Sequence, residues 1–368
     1  MGKRMWAPWA LLGTLGLLTV GAAILSVATT GPLPTSAARI PVPVAPFTGF
    51  GGYTWYGDPT SINASWTVPT IISRGPAASA ATWIGAQGRS TATFVQVGTL
   101  EVRLASGDRR YEAFWSDGPL DFHAQHIRDV VPGDAMETAM RQTPQGWDLD
   151  IDDVTQNWTR TVSTHYRTGV FVTQGEWVQE DPAPTLNAAH DVRYPVTTVV
   201  RFDDMRVDGD TPNLTYDDAQ ALSGFGGVYL VPTVYSHGHF SLPPAEGAAR
   251  QYLADAARYD TLVTGVDVAV VTSPKPLTVA ERGHQVARVV AAIKVFNGDL
   301  TRQTWPAAAQ ADITRLVQAD TTTIDEYAAL EAARFKVSAA ASQNFRLHAV
   351  AFQMDVEAAR AALGLPPL

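Results

Sequence analysis

The sequence predicts an all-β sandwich of jelly-roll or concanavalin-like type, two antiparallel sheets over residues 47–243, followed by a small α-helical C-terminal bundle over 278–368. Three features predict it. Residues 47–243 alternate short runs rich in Val, Thr, Phe, Tyr and Trp with Gly, Pro, Asn and Asp, the pattern of strands and turns. One run, "GWDLDIDDVT" at 146–155, alternates strictly, with Trp147, Leu149 and Ile151 on one face and Asp148, Asp150 and Asp152 on the other. After Pro243 and Pro244 the composition turns Ala-rich, and apolar residues recur every three or four positions instead of every two.

At the N-terminus, Lys3 and Arg4 precede an uncharged apolar run from Trp6 to Ala28. Residues 1–30 read as a signal peptide ending near "SVA" or as an uncleaved signal anchor, and the length of the run leaves both open. Either way the rest of the chain is expected outside, secreted or held at the outer face of the cytoplasmic membrane by residues 6–28. That segment is the only expected membrane contact. The Pro-containing stretch 31–46 is read as a linker.

The expected strands include "SWTVPT" (65–70), "ATWIGAQG" (81–88), "TATFVQVG" (91–98), "YEAFWSDGP" (111–119), "GVFVTQGEWVQED" (169–181) and "GVYLVPTVYSHGHFSL" (227–242). Residues 244–277 read as a connecting segment. A first helix opens with Thr278 and Glu281 in capping-box spacing and carries Val286, Val290 and Ile293. A second starts at Pro306 with Ile313, Val317, Ile324 and Tyr327, and a third carries Phe345, Ala349, Phe352, Val356, Ala359 and Leu363. Three such stripes can bury one another.

With 368 residues, 46% of them hydrophobic, the chain can bury two cores. A net charge of -9 with no basic run longer than "DRR" argues against nucleic acid as a partner. The absence of cysteine excludes thiol catalysis, disulfides and Cys-ligated metal. No cofactor or metal is expected: "HGH" at 237–239 puts two imidazoles on one strand face without a third ligand, and "DLDIDDV" lacks the turn glycine of a calcium loop.

The stretch "GEWVQED" at 175–181 suggests chemistry. In a strand Glu176, Val178 and Glu180 share one face, while Trp177 and Gln179 take the other. A glutamate of ordinary pKa, about 4.3, stays ionised where a histidine would be protonated, so Glu176 suits a base working between about pH 3 and 5. A glutamine amide such as Gln96 in "FVQVG" donates hydrogen bonds at any pH and suits an oxyanion. Such a pair must meet on neighbouring strands of one concave face.

The segments "ASWTVPT", "ATWIGAQG", "FVQVGT", "VVPGDAM" and "GEWVQED" resemble, in order and spacing, the glutamic peptidases, the eqolisin or G1 family, over about residues 47–243. The resemblance implies an endopeptidase acting on polypeptide, with Gln96 and Glu176 catalytic and Trp83 lining the cleft. Around them Gln87, Trp55, Trp115 and Glu180 are the implied substrate-binding residues. The sequence departs from the family where Gln87 replaces an acid, where "FWSDGP" places Ser116 in a segment usually aromatic and acidic, and where Trp55 or Tyr53 must stand in for an opening tryptophan. The rival reading is a non-catalytic, lectin-like β-sandwich that binds carbohydrate or peptide at the cell surface. A glycosidase pair of Glu176 with Glu180 is disfavoured, because four residues of strand separate them by about 13 Å.

Overall fold

The computed structural model describes residues 49–88, 93–118, 123–165, 172–182, 192–224, 226–271, 278–335 and 339–368. The N-terminal run 6–28 and the linker 31–46 lie outside them. No helix among the described residues is long and apolar enough to cross a membrane. The described residues fall into two compact units, 49–245 and 246–368.

The first unit is built from β1 (Phe50–Tyr56), β2 (Ser61–Thr67), β3 (Ala78–Gly88), β4 (Phe94–Arg103), β5 (Arg109–Asp117), β6 (Gln125–Asp129), β7 (Ala135–Thr143), β8 (Gly146–Asp153), β9 (Trp158–Ser163), β10 (Val172–Glu180), β11 (Val200–Val207), β12 (Ala219–Gln220), β13 (Leu222–Gly224), β14 (Val228–Leu230) and β15 (Phe240–Leu242). They form a seven-stranded sheet in the order β12-β1-β10-β3-β4-β5-β6, a six-stranded sheet in the order β15-β11-β2-β7-β8-β9, and the ribbon β13-β14. Every named strand pair is antiparallel. This is the sandwich that the alternation predicts.

Its core comes from one set of alternate residues on each sheet. Tyr53, Ile84, Val97 and Trp177 of the larger sheet pack with Trp66, Met136, Ile151 and Phe202 of the smaller. Burying each large side chain stabilises the fold by roughly 1.5–3 kcal/mol. The indole of Trp177 donates to the Asn63 carbonyl of β2 at 3.0 Å, which satisfies its one polar group. The "WDLDID" alternation holds: Trp147, Leu149 and Ile151 are buried. On the outer face Asp150 accepts from Arg141 and Thr161, and Asp148 accepts from Ser163.

The "HGH" stretch differs from its expectation. His237 and Gly238 have φ of 49° and 87°, and Ser236 pairs with His239. Two successive positive φ angles make a tight hairpin turn, so the imidazoles do not share a strand face.

Among the described residues the second unit holds four helices, α1 (Gly247–Val271), α2 (Val279–Arg302), α3 (Ala307–Ala332) and α4 (Ala339–Ala362). Of the expected stripes in the last three, Val286, Ile293, Ile313, Tyr327, Phe352, Val356 and Ala359 are buried, Val290, Val317, Ile324, Ala349 and Leu363 are half-buried, and the Phe345 side chain lies outside those described. Thr278 caps α2 with a reciprocal bond to Glu281, whose backbone N–H donates to the Thr278 hydroxyl at 3.2 Å. Helix α1 occupies part of the span read as a connecting segment. It buries Tyr252, Ala256, Tyr259 and Val263, and both tyrosines pack on Phe296 of α2.

Candidate active site

Register aligns the candidate residues. In β10, Glu176 pairs with Thr54 of β1 on one side and Gly85 of β3 on the other; Gly85 pairs with Gln96 of β4, and Gln96 with Ser116 of β5. Cross-strand partners point to the same face, so Thr54, Glu176, Gln96 and Ser116 form one transverse row. This corrects the expectation of neighbouring strands. Strand β3 runs between β4 and β10, which sets the two backbones about 9.6 Å apart by ordinary strand spacing. At the intervening position stands Gly85, which contributes no side chain to the row.

Both groups are buried: Gln96 and Glu176 each keep 7% exposure. The Gln96 amide donates from Nε2 to the Ser116 hydroxyl at 2.7 Å, while its Oε1 has no hydrogen-bond partner among the described residues. That bond fixes the plane of the amide and leaves its second N–H to donate elsewhere. Glu176 Oε1 accepts from the amide of Gln174, which also reaches Gln87 Oε1 at 3.5 Å. Gln174 lies two residues before Glu176 and so shares its face. The same alternation that selects Glu180 would also have found it.

The next row down the sheet, Val178, Trp83, Gly98 and Phe114, is apolar. With Ala81 and Phe94 these side chains form a cluster of their own on the face opposite the inter-sheet core. Trp83 meets Phe94 edge-on at 5.6 Å and Phe50 at 6.2 Å. Its indole N–H donates to Glu180 Oε2 at 2.7 Å. Glu180 thus holds the tryptophan beside the row.

Burial dominates the electrostatics. It lifts the Glu176 carboxyl from its usual value to about 7, against the opposing bond from Gln174. Glu180 also rises to about 7, through burial and then the nearby charges of Asp181 and Glu176, against the Trp83 bond. The expectation of an ordinary glutamate, ionised between pH 3 and 5, is therefore corrected: desolvation keeps both carboxyls protonated in acid.

Trp55 and Trp115 stand elsewhere. Trp55 pairs with Gly175 and Trp115 with Val97, one residue out of phase with the row, and both pack against the inter-sheet core. Their expected place on the groove face is corrected by that phase. Tyr53 is also a core residue, its hydroxyl donating to the Thr233 carbonyl at 2.9 Å. The face therefore brings together Gln96, Glu176, Trp83, Gln87 and Glu180, with Thr54, Ser116 and Gln174 added.

Residues 50–225 match the Peptidase A4 family. Over those residues the sandwich matches that family, the glutamic peptidases. The A4 domain is also similar to a solved Scytalido-glutamic peptidase bound to a peptide-based transition-state analogue, at 19% identity and a TM-score of 0.42, covering 54% of this chain and 98% of that one. It is similar to SCP-B, a member of the eqolisin family in complex with the tripeptide Ala-Ile-His, at 19% identity and a TM-score of 0.41 with the same coverage. No curated protein matches the chain. Helices α1–α4 lie beyond the matched residues.

Proposed function

We propose that the A4 domain is an exported endopeptidase in which Glu176 activates water and Gln96 stabilises the oxyanion. The observation that supports this most is the transverse row, which puts one buried carboxyl and one oriented amide on the same face with only a glycine between them. Ionised Glu176 takes a proton from water as the oxygen bonds to the scissile carbonyl carbon. The carbonyl π electrons move onto oxygen, and the free N–H of Gln96 donates to that oxyanion. Glu176 then returns the proton to the amide nitrogen, the C–N bond breaks, and a carboxylic acid and an amine leave.

The cycle starts from the carboxylate, so in the free protein the active form grows in as pH approaches the Glu176 value of about 7. The working range moves up from the pH 3–5 that an unperturbed glutamate implies. Export rests on the basic-then-apolar N-terminal run.

The test is cleavage of a denatured protein across about pH 3–8, with an aspartic-protease inhibitor present. Glu176→Gln is expected to lower kcat by at least about 10²-fold, and Gln96→Ala by about 10²–10³-fold. Cleavage that survives both substitutions, or saccharide binding without cleavage, overturns the reading.

A further inference from the structure

The edge of the same sheet carries a second cluster, independent of the dyad. Glu112 of β5 and His126 and Asp129 of β6 bring their ligand atoms within 4.8 Å of one another. In a regular strand residues three apart point to opposite faces. Here Asp129 pairs with Glu112, Arg128 with Ala113 and His126 with Phe114, so Ile127 is an extra residue in the strand. That bulge turns His126 and Asp129 to one side, beside Glu112. The intervening Arg128 is directed away, its guanidinium 5.4 Å from the centre of the Trp158 ring.

Two further observations describe the cluster. Among the described residues no lysine or arginine pairs with either carboxylate, and both face His126. Its Nε2 lies 3.0 Å from Asp129 Oδ1 and 4.0 Å from Glu112 Oε2. Adjacent ligands on a tetrahedral ion with bonds of 2.0–2.1 Å stand about 3.3 Å apart, between those two separations. The cluster is also open to solvent, with side-chain exposures of 90% for Asp129, 52% for His126 and 30% for Glu112, so water can complete the shell.

We propose that Glu112, His126 and Asp129 form a binding site for a divalent transition metal of the zinc class, three protein ligands with the fourth position open. One imidazole and two carboxylates are a borderline-to-hard donor set, which suits Zn²⁺ and Co²⁺ over Ca²⁺, whose shell needs six to eight oxygens. The two carboxylates neutralise the ion.

The full-length chain, without a polyhistidine tag, is titrated with Zn²⁺ by calorimetry and with Co²⁺ by visible absorption at about pH 7.5, where ligands can shed their protons. One saturable equivalent is expected in the parent and in Glu176→Gln and His239→Ala. Saturable uptake is expected to vanish in His126→Ala and to weaken in Glu112→Gln. All three ligands lie on an edge strand or its neighbour, and circular dichroism of each variant checks that the fold is kept. A parent that takes up no saturable equivalent, or a folded His126→Ala that binds as the parent does, overturns the proposal.

Discussion

Gln96 donates to Ser116 across the β4–β5 pair at 2.7 Å, and Ser116 is fully buried. The segment around Ser116 departs from the glutamic-peptidase pattern, yet its hydroxyl orients the proposed oxyanion donor. Ser116→Ala removes that acceptor and leaves a buried N–H unpaired beside an Oε1 that already lacks a partner. The expected result is a loss of about 1–3 kcal/mol in stability together with a fall in kcat at nearly constant KM. Urea denaturation and steady-state kinetics of the one variant check both.

Gln174 opposes the effect of burial on Glu176, so its removal should move the proton equilibrium further up. The rate profile of the parent is expected to rise with pH through an apparent value of about 7. In Gln174→Ala the same limb should shift to higher pH, because the bond that favours the carboxylate is gone. A profile of kcat/KM against pH for the two proteins reads the shift directly. An unmoved limb would mean that the titrating group is not Glu176.

Much of this was legible in the chain, and what was not has a physical cause. Alternation alone assigns Trp177 to the core and Glu176 to the other face, because side-chain period is a local property of a strand. The insertion of β3 between β4 and β10 is a property of topology, set by which edges pair after collapse, and no local pattern encodes it. The phase of Trp55 and Trp115 was readable from neighbours: Trp115 directly precedes Ser116, so the two cannot share a face. Helix α1 has a legible stripe at Tyr252, Ala256, Tyr259 and Val263, which its small and polar residues make less conspicuous. The raised carboxyls of Glu176 and Glu180 arise from burial, which depends on the assembled face.

Gly98 lies where Trp83 crosses the sheet. A methyl group there would sit 2.1 Å from the Thr82 carbonyl oxygen and 2.5 Å from the Trp83 Cβ. Neither is the far end of a flexible side chain, so the strands must part. Gly98→Ala is expected to cost about 1–3 kcal/mol and to tilt Trp83 away from Glu180. A lowered melting temperature with altered tryptophan fluorescence is the signature; an unchanged protein would contradict the packing of that row.

The buried acids also set the sign of the stability profile. Glu176 and Glu180 have folded values of about 7 against an unfolded value near 4.5, so the native state holds protons that the unfolded chain releases between those pH values. Their contribution is fully present below about pH 4.5 and is lost as pH rises through 7. Each shift corresponds to about 3 kcal/mol. Glu101, fully buried in the sandwich, is raised in the same direction by desolvation. The sandwich should therefore be more stable at pH 4 than at pH 8, opposite to a protein whose carboxylates are salt-bridged. Glu180→Gln keeps an acceptor for the Trp83 indole and removes the ionisation. Its loss between pH 4 and 8 should be smaller than the parent's by about 3 kcal/mol. Paired urea titrations at the two pH values decide it, and a parent that gains stability on going to pH 8 would show that these carboxyls are not desolvated.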